Sequence, residues 1–140
     1  MQVIINNLLT DYQKQGKGPV ALFLHGWGDN GNTFKPLVQL LQKTHTCITL
    51  DLPGFGSTQS PTEAWGIHNY SEFVAEFIKK NNLNVAVVIG HSNGGTIAMY
   101  GLSHKIFSAN KLVLLASAGI RSDDKLKKTI YKVVAKTGRV

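Results

Sequence analysis

A single cysteine, Cys47, stands in the 140 residues, so no disulfide can form within the chain. An apolar core has to hold such a protein together, and a lone thiol suits a reducing compartment, which makes the cytoplasm the expected location. No apolar run approaches the ~20 residues of a membrane span. The first ten residues, MQVIINNLLT, carry neither the basic start nor the small-residue cleavage site of a secretory signal. Charge is sparse as well: Asp, Glu, Lys and Arg make up 16% of the chain, against 43% hydrophobic residues. That balance excludes a disordered polymer and suits one small globular domain. Histidines and acids are scarcest toward the C-terminus. After residue 92 the only histidine is His104 and the only acids are Asp123 and Asp124.

What charge there is lies unevenly. The net charge is +7, yet residues 1–120 hold eight Lys/Arg against six Asp/Glu, while residues 121–140 hold seven against two. The basic character therefore belongs to the tail. There Leu126, Ile130, Val133 and Val134 fall on one helical face with lysines opposite. Apart from Tyr131 no aromatic interleaves with these lysines, so the tail reads as a packed amphipathic helix, and no nucleic-acid partner is expected. The one shift in composition, near Gly119–Arg121, divides a core at 1–120 from a helical segment at 121–140.

Four short runs, VALFLH (Val20–His25), TCITLD (Thr46–Asp51), VAVVIG (Val85–Gly90) and KLVLLAS (Lys111–Ser117), are nearly continuous in apolar or β-branched residues. Such runs suit strands of a parallel sheet buried on both faces. Helical patterns alternate with them. FKPLVQLLQK has Pro36 near a helix start. NYSEFVAEFIKKNN puts Phe73, Val74, Phe77 and Ile78 on one stripe, with Asn69 or Ser71 as the N-cap. GGTIAMYGLSHK is apolar almost all round and predicts a buried helix. Asn6-Asn7, between apolar segments, predicts a tight hairpin turn. The alternation predicts a doubly wound, mostly parallel α/β sheet with an N-terminal hairpin.

Three glycine-bearing turns follow three of the strands, at the sheet edge where ligands gather in this architecture. Gly90-His91-Ser92-Asn93-Gly94 is a G-x-S-x-G match, followed by Gly95. A serine in a sharp turn between a buried strand and an apolar helix is held as an exposed nucleophile, and the amide after it, from Asn93, faces a developing oxyanion. Gly90 and Gly94 keep strand and helix close. The alternative is an ordinary strand–helix turn with a capping serine. His25-Gly26-Trp27-Gly28 follows the first strand, and its Trp27 amide is the candidate second oxyanion donor. Gly26, Gly28 and Gly31 also form a G-x-G-x-x-G pattern, with Asp51 at dinucleotide-binding distance. Pro36 would break the helix that reading needs. In the third turn, DLPGFG, Asp51 is either a catalytic acid or, as favoured here, a cap for loop amides.

HGWG, DLPGFG and GHSNGG together resemble the α/β-hydrolase fold family in order and spacing. LVLLASAGIR is similar to the strand that precedes the cap of capped members. The resemblance covers residues 1–120 and extends into the tail. It implies an incomplete α/β-hydrolase fold without its C-terminal strands. Ser92 would be the nucleophile, and the Trp27 and Asn93 amides the oxyanion hole. His25, Gly26, Gly90, His91, Gly94 and Gly95 would support the elbow and loop. A serine at the elbow argues against relatives with aspartate there, such as haloalkane dehalogenases and epoxide hydrolases. Hydrolysis of a small-molecule ester, with no cofactor and no metal, becomes the expected chemistry. Capped carbon–carbon hydrolases and peptidases stay open.

A serine hydroxyl needs a base to become a competent nucleophile. In this fold an acid and then a histidine follow the serine along the chain. Here His104 precedes Asp123 and Asp124, so no combination after Ser92 has that order. The base is expected from sequence not present here or from a partner chain. The rival expectation is a catalytically incomplete, self-associating module. KLVLLAS with no strand beyond it would leave an apolar open edge, so a homo-oligomer through Lys111–Ser117, or through the tail helix, is expected.

Overall fold

The structure, a computed structural model, describes residues 1–117. The amphipathic tail and the start of the second segment lie outside the described residues. Six strands form one mixed sheet in the order β1-β2-β4-β3-β5-β6. β1 (Gln2–Ile5) and β2 (Leu8–Gln15) make the N-terminal hairpin, and β2 runs antiparallel to β4 (Thr46–Leu50). β3 (Val20–Leu24), β4, β5 (Val85–His91) and β6 (Lys111–Leu115) are mutually parallel. The hairpin turns where expected: Asn6 (φ 48°) and Asn7 (φ 62°) are both left-handed, the geometry of the tight turn whose twist matches antiparallel strands.

The pleat sorts the core into two layers. Leu22 and Leu24 of β3 face a cluster with Ile48, Leu50 and Val88, onto which Phe73, Val74, Phe77, Ile97 and Ala98 pack. Ala21 and Phe23 face the other side, with Phe34, Val38, Cys47 and Ile89. The helix α1 (Lys35–Leu41) covers this second face. The helices α2 (Ile67–Lys80) and α3 (Asn93–Ser103) cover the first. Phe73 and Phe77 are fully buried, each stabilising the fold by about 1.5–3 kcal/mol relative to exposure. Burial also pushes the Cys47 thiol pKa up, which leaves it a packing residue.

Local details depart from expectation in two places. α2 begins at Ile67 with Gly66 as its N-cap, so neither Asn69 nor Ser71 caps it. Asn69 sits one turn in and reaches back, its Oδ1 accepting the Gly66 N–H at 3.0 Å. The Ser71 hydroxyl is buried and donates to the carbonyls of Ile67 and Ile97, so it ties α2 to α3. The second departure is β6. Its apolar run predicts burial on both faces, yet Val113, Leu114 and Leu115 are exposed, because among the described residues nothing covers its outer side.

Pro36 lies in the first turn of α1, where a missing N–H costs nothing. A short 3₁₀ turn at Gly31–Phe34 precedes it. Only this 3₁₀ turn opens at Gly31, and the α-helix starts beyond the glycine loop at Lys35, so the dinucleotide geometry is not formed.

Candidate functional site

β3 is the switch point of the sheet. The chain crosses from β3 to β4 on one side, then over to β5 on the other. The loops after β4, β3 and β5 therefore lie side by side at one edge, and they carry Asp51–Thr58, His25–Gly28 and Ser92. This is the crevice where ligands bind in open α/β sheets.

Ser92 is the most unusual residue there. Its backbone lies at φ 49°, ψ −117°, a region populated almost entirely by glycine in sharp turns. A helix-capping serine instead takes extended angles and accepts an amide with its hydroxyl. The Ser92 side chain makes no capping bond. Its carbonyl does that work, accepting from Gly95 N at 3.0 Å and Thr96 N at 3.2 Å. The hydroxyl is thus left clear of the helix terminus, half-exposed at the tip of the turn.

The glycines explain how the turn closes. A Cβ on Gly90 would lie 2.5 Å from the Gly95 Cα, and one on Gly94 would lie 2.1 Å from the Leu24 carbonyl oxygen. β5, α3 and the end of β3 meet with no room for side chains. The end of β6 holds the turn from the other side. Ser92 N donates to the Leu115 carbonyl at 3.0 Å, and the Ser117 hydroxyl donates to the Gly90 carbonyl at 3.3 Å.

The loop after β3 comes against the same serine. A Cβ on Gly26 would sit 3.3 Å from the Ser92 Cβ and 3.1 Å from His91 Nδ1. Trp27 follows Gly26 and Asn93 follows Ser92 in the chain, and neither amide donates to an acceptor among the described residues. The Asn93 amide is one of the orphan donors that every helix start presents. The Trp27 ring is 70% exposed and rests edge-on against Phe55, with centroids 4.9 Å apart. Two aromatic rings therefore meet between the loops after β3 and β4. Spacing alone does not reveal this pair, because Phe55 reaches Trp27 only through the turn of the DLPGFG loop.

His25 is structural. Its fully buried ring accepts the Leu52 N–H at Nε2 (2.9 Å), so the proton lies on Nδ1 and is donated to the Gly26 carbonyl (2.8 Å). One neutral ring thus pins the loops after β3 and β4. Burial lowers the His25 pKa below its ordinary 6.5. The unfolded chain then takes up this proton first, so stability is full above pH 6.5 and falls as pH drops from 6.5 toward the folded value. Denaturant titrations between pH 8 and 5 are expected to show that fall. In His25→Leu the slope should be smaller and the overall stability lower by about 1–3 kcal/mol, because the Leu52 amide loses its acceptor. An unchanged slope in that variant would remove His25 as its source.

Asp51 is a cap, as favoured from the sequence. Its two oxygens accept the Gly31 N–H (2.8 Å) and the Ser57 N–H (2.9 Å), fixing both loops. Asp29 accepts from the Thr33 hydroxyl, which holds its carboxyl pKa below the usual range.

No histidine reaches Ser92. His91 turns its Nδ1 inward against Gly26, where it has no hydrogen-bond partner. His104 caps the far end of α3, stacked on Tyr100 at 4.0 Å, about 16 Å from the elbow along an 11-residue helix. His68 pairs with Glu72 at 3.2 Å on the surface, and the His45 ring meets the Thr44 hydroxyl. Among the described residues no group of three His, Cys, Asp or Glu could hold a metal ion, and no helix is long and apolar enough to cross a membrane.

Residues 19–137 match the family described as alpha/beta hydrolase fold. The pimeloyl-[acyl-carrier protein] methyl ester esterase of Vibrio vulnificus is 32% identical over 108 residues, which span 76% of this chain and 40% of that protein. The uncharacterized hydrolase YugF of Bacillus subtilis is 31% identical over 116 residues, 82% of this chain and 42% of that protein. A bacterial membrane phospholipase A described as a virulence factor superposes with a TM-score of 0.81 at 25% identity, over 95% of this chain and 44% of its own. The chain thus spans less than half the length of each of these proteins.

Proposed function

Because this chain belongs to the α/β-hydrolase fold family, we propose that it carries the nucleophile and oxyanion half of a serine hydrolase site that cleaves small-molecule esters. Ser92 Oγ attacks the acyl carbon, and the Trp27 and Asn93 amides hold the resulting oxyanion. The observation that carries this reading is the Ser92 backbone at φ 49°, ψ −117° with no capping bond from its side chain. That strain has no local structural use, whereas it does present a hydroxyl to substrate. The exposed Trp27 beside Phe55 favours an apolar acyl group. The esterase named for one relative points to the same bond type.

The acid and histidine of the reaction come from polypeptide outside residues 1–140 or from a partner chain. A second reading, a folded module without turnover, is favoured by one observation: among the described residues the imidazoles and Asp51 bond elsewhere or to nothing, and none hydrogen-bonds the Ser92 hydroxyl. One experiment tests the nucleophile directly. The chain is incubated with a fluorescent alkyl phosphonate and digested, and the modified residue is located by mass spectrometry. Labelling at Ser92 that disappears in Ser92→Ala supports the proposal. No labelling at Ser92, together with no hydrolysis of a short-chain chromogenic ester, rejects it for this chain and leaves the second reading.

A further inference from the structure

The second half of β2 is polar on one face. Tyr12 packs into the core cluster beneath α2, whereas Gln13 and Gln15 are exposed. The register sets Gln13 opposite Thr49 and Gln15 opposite Cys47, and directly opposed residues project to the same face of a sheet. Cys47 belongs to the cluster under α1. Both glutamines and Thr49 therefore share the α1 face.

Thr49 is the exception among the buried polar side chains of the described residues. Thr10, His25, Thr58 and Ser71 each bond a backbone group. Thr49 is 5% exposed, and its hydroxyl has no hydrogen-bond partner among the described residues. Leaving a buried hydroxyl unpaired is costly, and valine would suit the same strand position without that cost.

A cavity of about 160 Å³ opens onto this residue, with its lining drawn entirely from residues between Gln13 and Thr49. Gly31 lines it too, and a Cβ there would lie 2.9 Å from Thr49 Oγ1. A side chain at 31 would thus close over the hydroxyl. Around the cavity stand the carboxamides of Gln13, Gln15, Asn32 and Gln39, with Lys35 the one charged residue. Gln15 donates to Gln13 at 3.5 Å and Gln13 to Asn32 at 3.3 Å, so three of them form a chain. That chain leaves the Gln15 oxygen, the Asn32 amide group and both ends of Gln39 to add to Thr49 and Lys35. Donors and acceptors are both on offer. Val38, 3% exposed, supplies an apolar wall.

This inventory selects among ligands. A cation would meet Lys35 and no lining carboxylate. An anion only accepts, and would leave the carboxamide oxygens unused. A neutral polyol donates and accepts at every hydroxyl and turns its C–H groups to Val38. The volume is that of about five waters, enough for a short-chain polyol.

We infer that this cavity is a binding site for a small neutral polyol, held by Thr49, Gln39 and the Gln15–Gln13–Asn32 chain. Gly31 also donates to Asp51, so the occupant touches the residue that ties the loops after β3 and β4 together.

Two-dimensional amide NMR of the full chain, titrated with erythritol through the millimolar range, tests this. Saturable shifts are expected at Gly31, Asn32 and Thr49. Thr49→Val should weaken binding by about three- to tenfold, the loss of one hydrogen bond, with no fall in the melting temperature of the free protein. Should that variant not fold, Gln39→Ala, at an exposed position of α1, should weaken binding to the same degree. Butanol, of the same carbon length with a single hydroxyl, should shift these signals far less. Three outcomes overturn the inference. One is no saturable shift with erythritol, which would mean that water alone serves the hydroxyl. Another is butanol or acetate binding as tightly as erythritol. The third is unchanged affinity in the variants. None of these readouts involves Ser92, so none bears on the hydrolase reading.

Discussion

Gly94→Ala is expected to destabilise the fold by about 3 kcal/mol or more, a fall of roughly 10 °C in midpoint for a chain of this size. Two effects oppose each other at this position. Gly94 is in the first turn of α3, and alanine is the better helix former by about 1 kcal/mol. Propensity alone therefore forecasts a gain. Against it stands the close approach of α3 to the end of β3. A Cβ at 94 would lie 2.1 Å from the Leu24 carbonyl oxygen and 2.5 Å from that of His25. Both obstacles are backbone, with no rotamer to move, and β3 is the central strand of the sheet. The helix would have to lift off, dragging Ser92 and the buried Ile97 and Ala98 with it. Gly28→Ala is the matching control. Gly28, unlike the helical Gly94, is left-handed (φ 72°), but its Cβ would meet nothing within 4 Å, so it should cost only about 1 kcal/mol of backbone strain. Denaturant midpoints of the two variants decide the matter. A Gly94→Ala as mild as Gly28→Ala would mean that strand and helix are not packed at backbone contact.

These contacts mark the boundary of what can be read from residues alone. The elbow was legible because glycine at two fixed offsets around a serine, after a β-branched run and before an apolar helix, has few other uses. The structure supplies the reason as backbone distances at Gly90 and Gly94. Asp51 was legible as a cap because it stands at a strand end before proline and two glycines. The role of His25 was legible only in outline. That its ring joins Gly26 to Leu52 is a contact across 27 residues, which no local pattern encodes. The Trp27–Phe55 pair is hidden for the same reason. The misjudged start of α2 has a different cause. Asn69 looks like a cap, but the apolar Ile67 packs against the core cluster and extends the helix back to Gly66, so tertiary burial overrides capping preference. β6 shows the limit of composition. KLVLL reads as a buried strand, and whether such a strand is covered depends on what lies beside it.

Ser92→Gly is expected to be more stable than Ser92→Ala by about 1 kcal/mol, although neither variant can be labelled by phosphonate. At φ 49°, ψ −117° any residue with a Cβ pays about 1–3 kcal/mol in backbone strain, and glycine pays none. Glycine gives back about 0.4–1 kcal/mol through the extra freedom of its unfolded chain. The difference leaves glycine ahead. Alanine is the proper reference because it also lacks the hydroxyl but keeps the Cβ, so the comparison isolates the turn. The Gly95 and Thr96 amides bond to the backbone carbonyl of residue 92, so the helix cap survives in both variants. Midpoints of chemical denaturation measure the pair. Equal midpoints, or alanine ahead, would show that the turn stores no more strain than the roughly 0.4–1 kcal/mol glycine loses through its unfolded chain, and the proposed role of Ser92 as nucleophile would lose the observation on which it rests. Glycine ahead would mean that this position carries a side chain at a cost in stability. A serine kept at such a cost, with its side chain making no capping bond at the helix start, is what the proposed chemistry at that hydroxyl requires.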